Sequence, residues 1–116
     1  MLIKNNDMTI DIREGMRGGK GKVIIKHILK NEDIKGGARL HARIILEENC
    51  SIGSHEHIEE EEVFYILSGN GRVYDNDKVY TVRPGDAILT RGGEKHSIEN
   101  ITSEPLEFIA TILVYQ

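Results

Sequence analysis

Residues 53–69, GSHEHIEEEEVFYILSG, are the stretch on which the reading of this chain turns. Side chains two apart on an extended strand face the same side, so His55 and His57 project together. Two imidazoles on one face are the start of a transition-metal site. Glu62 opens the apolar run VFYILS and offers a carboxylate oxygen, and Gly69 closes that run. Singly, each signal has a plainer account: H-x-H is often an exposed polar pair, and Glu59–Glu62 reads as a solvated acidic turn. A fourth donor lies downstream in residues 84–100, PGDAILTRGGEKHSIEN, which carry His96 between a Pro84-Gly85-Asp86 turn and Asn100.

Together the two stretches resemble the paired motifs of the cupin superfamily, G-x5-H-x-H-x(3,4)-E-x6-G and G-x5-P-x-G-x2-H-x3-N. His55, His57, Glu62 and Gly69 fall on the first motif over residues 49–69. Gly85, Gly93, His96 and Asn100 fall on the second over residues 85–100. Two positions depart. Asn49 stands where the first motif has Gly, and Asn is a side chain that tolerates the left-handed turn conformation. Arg91 stands where the second has Pro, and Gly92-Gly93 can still make that turn. The resemblance implies one cupin domain over residues 1–116, a jelly-roll β-barrel with one divalent transition metal (Mn, Fe, Co, Ni, Cu or Zn) held near one mouth by His55, His57, Glu62 and His96. It also implies a homodimer, often with N-terminal strands exchanged between partners.

Composition sets the outer bounds. A chain of 116 residues builds one hydrophobic core. With 39% hydrophobic and 29% charged residues it has an ordinary globular composition. A net charge of −4 argues against generic nucleic-acid binding. No apolar run approaches the ~20 residues that span a bilayer, and MLIKNNDMTIDI lacks the apolar core of a signal peptide. The expected location is the cytoplasm. Cys50 is the only cysteine, which rules out an internal disulfide, and it reads as structural.

In chain order, Met8, Ile10 and Ile12 suggest a short strand. The following REGMRGGKGK sets four cations among four glycines, but no phosphate-loop spacing is present, and β-branched VIIKHIL follows it. Two readings stand: a flexible basic loop, or a loop that bends over a pocket and attracts an anionic substrate. Val23–Leu29 reads as a strand. In RLHARIILEE strict alternation predicts a half-buried strand with Leu40, Ala42, Ile44 and Leu46 on one face. The Arg39-His41-Arg43 face is either solvent-facing or pocket-lining, and His27 and His41 are read as satisfied or exposed. Gly69-Asn70-Gly71 predicts a hairpin turn, and Asn76-Asp77 another. Strands are predicted over 87–90, over 96–101, and in the apolar LEFIATILV. Short strands at 8–12-residue spacing with no 3.6-residue periodicity predict an all-β sandwich or barrel, as the resemblance also implies.

Alternation gives a pocket inventory. If Glu62 points inward, so do Phe64 and Ile66; His96 brings Ile98, and Phe108, Ala110 and Ile112 share a face. Three imidazoles and a carboxylate leave coordination positions open for substrate, water or dioxygen. The first functional expectation is a metal-dependent enzyme acting on a small carboxylate- or carbonyl-bearing metabolite or sugar derivative, of isomerase, decarboxylase or dioxygenase type. Candidate substrate contacts are Arg43, His41, Phe64, Tyr74, Arg91, Ile98 and Phe108; no catalytic acid or base is assigned. The alternative is a non-catalytic metal-dependent module that binds or senses a small sugar or acid.

Overall fold

Ten antiparallel strands form two facing sheets. The computed structural model describes residues 1–116. The strands are β1 (Thr9–Glu14), β2 (Lys22–Leu29), β3 (Ala38–Leu46), β4 (Ser51–Glu56), β5 (Glu60–Ser68), β6 (Gly71–Asp75), β7 (Lys78–Val82), β8 (Ala87–Thr90), β9 (Lys95–Asn100) and β10 (Leu106–Val114). The larger sheet has the order β1-β2-β3-β10-β5-β8 and the smaller β4-β9-β6-β7. The all-β architecture is the one the strand spacing predicts, and the jelly-roll is the one the resemblance implies.

The hydrophobic alternation explains the layering. Along β3 the side chains of Ala42, Ile44 and Leu46 are buried and their neighbours are not, and β10 repeats the pattern with Leu106, Phe108, Ala110 and Ile112. These faces meet Phe64 and Ile66 of β5 from the same sheet, and Ile52, Val73, Val82 and Ile98 from the opposite one. β10 is central because it pairs with both β3 and β5, setting Ile112 opposite both Leu40 and Glu62. One end of the barrel is therefore closed by hydrocarbon, and polar side chains gather at the other.

Two details of the sequence reading change. Gly69-Asn70-Gly71 does not close a hairpin, since β5 lies in the larger sheet and β6 in the smaller. The chain crosses between sheets here, and Gly69 (φ 80°) leaves no room for a side chain against the Pro105 carbonyl. Crossing, rather than returning, is what buries both faces of the sandwich. The Asn76-Asp77 turn does join a pair, β6 and β7, with Asn76 at φ 55°. The glycine-rich segment after β1 is also no free loop. Its 3-10 turn Met16–Gly18 is tied across by Gly15 N–H to Gly21 O (3.0 Å), and Ser51 N–H to Lys20 O (2.8 Å) fastens it to β4. Gly19 and Gly53 make this approach possible, because a Cβ on either would collide with backbone of the other segment. Of the two readings of REGMRGGKGK, its position over a pocket is the one the fold realises.

Candidate metal centre

The four sequence-selected donors converge on one point. His55 is the penultimate residue of β4, His57 follows the strand, Glu62 lies on β5 opposite Ile112, and His96 on β9 pairs with His55. His57 Nε2 lies 2.8 Å from Glu62 Oε1 and 3.1 Å from His96 Nε2, which is 3.0 Å from His55 Nε2. His96 Nε2 is 3.1 Å from Glu62 Oε1. All four donor atoms lie within 4.8 Å of one another. Donors at right angles about an ion ~2.1 Å away would be about 3.0 Å apart, so the spacing suits a metal ion.

What the sequence did not name is the ring of groups that turns the imidazoles. The Nδ1–H of His55 donates to the Gly53 carbonyl at 2.8 Å, and that of His57 to Glu60 Oε2 at 2.7 Å. His96 Nδ1 bonds the hydroxyl of fully buried Thr90 at 2.7 Å. With every Nδ1 engaged by the protein, every Nε2 faces the centre, the arrangement by which outer partners fix a ligand's tautomer. Phe64 stacks on the His96 ring (centroids 4.9 Å apart, 13° between planes) and so sets its tilt. Glu60 in turn is gripped by Arg39, whose Nε and Nη2 donate at 2.7 and 2.6 Å. Arg39 reaches this position through a bulge: Ile112 pairs with Leu40 but Leu113 with Ala38, leaving Arg39 as the extra residue. Tyr115 completes the frame. Its hydroxyl accepts from Gly92 N–H (2.9 Å) and donates to Glu61 (3.0 Å), while Gly93 N–H donates to the His57 carbonyl (2.7 Å).

Lone pairs at this density repel unless something positive lies among them. A proton is one answer. The hydrogen bond to Glu62 raises the His57 pKa above the usual 6.5, while burial lowers that of His55, keeping it neutral. Burial alone would raise Glu62, but bonds to His57 and His96 outweigh it and hold the carboxyl below its usual range. Glu60, held first by Arg39, is lowered to about 2. A divalent metal ion is the other answer: three imidazole Nε2 atoms and the ionised Glu62 carboxylate make a donor set for one.

Beside this cluster lies a cavity of about 340 Å³. Its walls are hydrocarbon from Ile25, Ile44, Phe64 and Ile112; its mouth carries Arg13, Glu14 and Arg17. Of the candidate substrate contacts, Phe64 lines this cavity. Ile98 and Phe108 are buried in the core behind it. His41 and Arg43 lie on the other face of β3, bonded to Thr111 (2.9 Å) and Glu107 (2.7 Å). Alternation sends them there once Leu40, Ala42 and Ile44 point inward, and only the bulge lets Arg39 escape that rule. Tyr74 lies exposed on the smaller sheet in a separate shallow groove, and Arg91 in the exposed turn after β8. None of these four lines the cavity. His27, which the sequence gave no role, does line it, held at 2.8 Å by Asp11. The signal for Arg13 and Arg17 was the glycine-rich basic segment itself; the edge pairing of β1 with β2 that brings it over the mouth is not legible locally.

The cupin domain model matches residues 42–113. The chain belongs to the cupin family. Among curated proteins this cupin is similar to an oxalate-binding protein of Thermotoga maritima, with 41% identity over 114 residues, covering 98% of this chain and 94% of the relative. Among solved structures it superposes on a predicted oxalate decarboxylase of Thermotoga maritima with a TM-score of 0.93 and 41% identity, covering 98% and 99% of the two chains. The Cnp3 cupin domain of Schizosaccharomyces pombe shares the fold alone, with a TM-score of 0.73 at 13% identity over 91% of this chain and 69% of that one. The cupin motif positions outside the donor set have physical roles here. Asn49 does take the left-handed conformation (φ 64°). Buried Asn100 donates to the Leu46 and Glu104 carbonyls (2.9 and 2.7 Å) and accepts from Thr102 N–H (2.9 Å), tying the turn before β10 to the end of β3. No helix of the chain is long and apolar enough to cross a membrane.

Proposed function

We propose that this cupin is a metal-dependent enzyme acting on a small carboxylate-bearing metabolite, with His55, His57, Glu62 and His96 as the ligands of one divalent transition metal. The observation that carries the reading is the convergence of three oriented Nε2 atoms and one carboxylate at the wall of a cavity with cationic residues at its mouth. Four protein donors leave open positions for substrate oxygens, and the ion supplies Lewis-acid polarisation of a bound carboxylate or carbonyl. The oxalate named for the Thermotoga maritima relatives is the first compound to try.

The protein's own residues do the remaining work. Hydrocarbon from Ile25, Ile44, Phe64 and Ile112 strips water from the substrate and strengthens the charge interactions within the cavity. Arginines at the mouth attract an anion. Glu14 is the cavity carboxylate outside both the donor cluster and every ion pair, so it is the group available to move a proton. That Glu14 is exposed at the mouth, and not packed against the donors, favours a second reading in which the anion is bound without turnover. Titration of oxalate into protein loaded with Mn2+, and into metal-free protein, tests the shared part: binding must require the ion. Assay of formate and carbon dioxide from the same mixture separates the readings, and product formation lost in Glu14→Gln supports the enzyme. Binding without product under any metal supports the module.

A further inference from the structure

We propose that the segment Arg13–Arg17 makes this cavity a site for a dianion longer than oxalate. One end of the ligand presents two adjacent oxygens to the donor cluster, a short apolar body follows, and a second anionic group is held by Arg13 and Arg17. The inference rests on the metal-dependent carboxylate site proposed above and names the class of compound that fills it.

Three observations lead here. The first is charge. Three arginines line the cavity, and only Arg39 is spoken for, by its two bonds to Glu60. Arg13 and Arg17 take part in none of the chain's ion pairs. Glu14 offsets one of these two cations, and a divalent ion against Glu62 leaves one further positive charge. Counted over the side chains that line the cavity, with Arg39 offset by Glu60, the balance matches a ligand of charge −2.

The second is placement. Asp11 and Arg13 share a face of β1, and Asp11 bonds cavity-lining His27, whereas Ile10 and Ile12 are exposed on the opposite face. Arg17 is held in the left-handed region (φ 56°, ψ 28°) between Gly15 and Gly18, which also have positive φ. A glycine would sit there without strain, and strain retained at a non-glycine residue over a cavity marks a position kept for its side chain. The Arg17 backbone rests on Gly53, two residues before His55 on β4. Arg17 and His55 therefore line the same cavity from neighbouring parts of the fold, and a chelated oxalate occupies only its donor end.

The third is volume and lining. A cavity of about 340 Å³ has room for on the order of ten waters at ~30 Å³ each. Between the imidazoles and the arginines its walls are Ile25, Ile44, Phe64 and Ile112, surfaces that gain from an aliphatic body and gain nothing from a second carboxylate.

The experiment is calorimetric titration of Mn2+-loaded protein with oxalate, 2-oxopentanoate and 2-oxoglutarate. The last two have the same chelating head and carbon number and differ in the distal carboxylate. The expected result is 2-oxoglutarate binding at least about tenfold tighter than 2-oxopentanoate, the scale of one charge-assisted contact. In Arg13→Gln/Arg17→Gln, both surface positions, 2-oxopentanoate should lose only the general attraction of two charges for an anion, 2-oxoglutarate should lose more, and the preference between them should fall to within about twofold. Equal affinity for the two acids, or a preference that survives in the double variant, overturns the inference. Oxalate binding with both longer acids excluded also overturns it, and leaves the metal-dependent site standing. If no acid binds in a metal-dependent way, the site reading itself falls and the inference with it.

Discussion

Glu60 tests how far the structure explains the proposed metal centre, because it lies outside the four candidate ligands and was not recognisable in the sequence. Its carboxylate takes the Nδ1–H of His57 at 2.7 Å and two Arg39 donors at 2.7 and 2.6 Å, with the side chain only 14% exposed. Glu60→Gln keeps the shape but removes the charge and one acceptor oxygen, so an amide N–H must now meet either the imidazole or the guanidinium. Loss of an outer partner of a metal ligand typically costs 10–100-fold in affinity, about 1.4–2.7 kcal/mol. Since Gln retains one acceptor, Glu60→Gln should lie near the tenfold end for Mn2+, and Glu60→Ala near the hundredfold end. Arg39→Gln should act oppositely: it leaves Glu60 wholly to His57, so affinity should hold or rise. The assay is competition for Mn2+ against a chromophoric chelator, with unfolding curves to show that each variant is folded. Glu60→Gln within twofold of wild type, or equal losses in the Glu60 and Arg39 variants, would refute the reasoning.

Other expectations follow from the same geometry. Phe108 is fully buried and packs on Phe64 with ring centroids 4.8 Å apart, so Phe108→Ala should cost about 3–5 kcal/mol in denaturant unfolding; less than 1 kcal/mol would contradict the packing. Metal affinity should fall tenfold per pH unit as His57 takes up its Nε2 proton, beginning above pH 6.5 because Glu62 raises that pKa; a titration flat from pH 8 to 6 would count against the assignment. Glu60 has its pKa lowered from 4.5 to about 2, so the stability it contributes is present above pH 4.5 and lost as pH falls toward 2; unfolding curves of Glu60→Gln should show a shallower loss over that window. Ile10 and Ile12 of edge strand β1 are 56% and 61% exposed, the kind of edge that pairing covers, and we propose a homodimer. Sedimentation showing only a 13.1 kDa species would remove that proposal.

How much of this was legible beforehand follows from the range of the interactions. The alternation of Leu40, Ala42, Ile44 and Leu46 is a local property of one strand, and so is that of Phe108, Ala110 and Ile112, so both faces were read in the right phase. Nine residues of β10, LEFIATILV, form the strand that was predicted. The cluster proposed as ligands was legible because His55-x-His57 and the spacing to Glu62 and His96 match a known motif. What failed was non-local. The Gly69–Gly71 turn has hairpin chemistry, but which sheet the next strand joins depends on partners far away in sequence. Arg39, His41 and Arg43 looked like one face, and a single extra residue opposite Ile112 and Leu113 split them, sending Arg39 to Glu60 and leaving the others on the far side. Thr90 and Tyr115 carry no motif at all. Each matters only because the fold brings it to His96 or to the Gly92 turn.

The most direct test of the central claim is metal analysis of protein purified without added metal or chelator, wild type beside His57→Ala and Glu62→Gln, each checked for a native unfolding transition. The account predicts close to one equivalent of a divalent transition metal per chain in wild type, or after reconstitution with Mn2+, and little in either folded variant. Wild type that takes up no metal after reconstitution, or folded variants that retain a full equivalent, would contradict it.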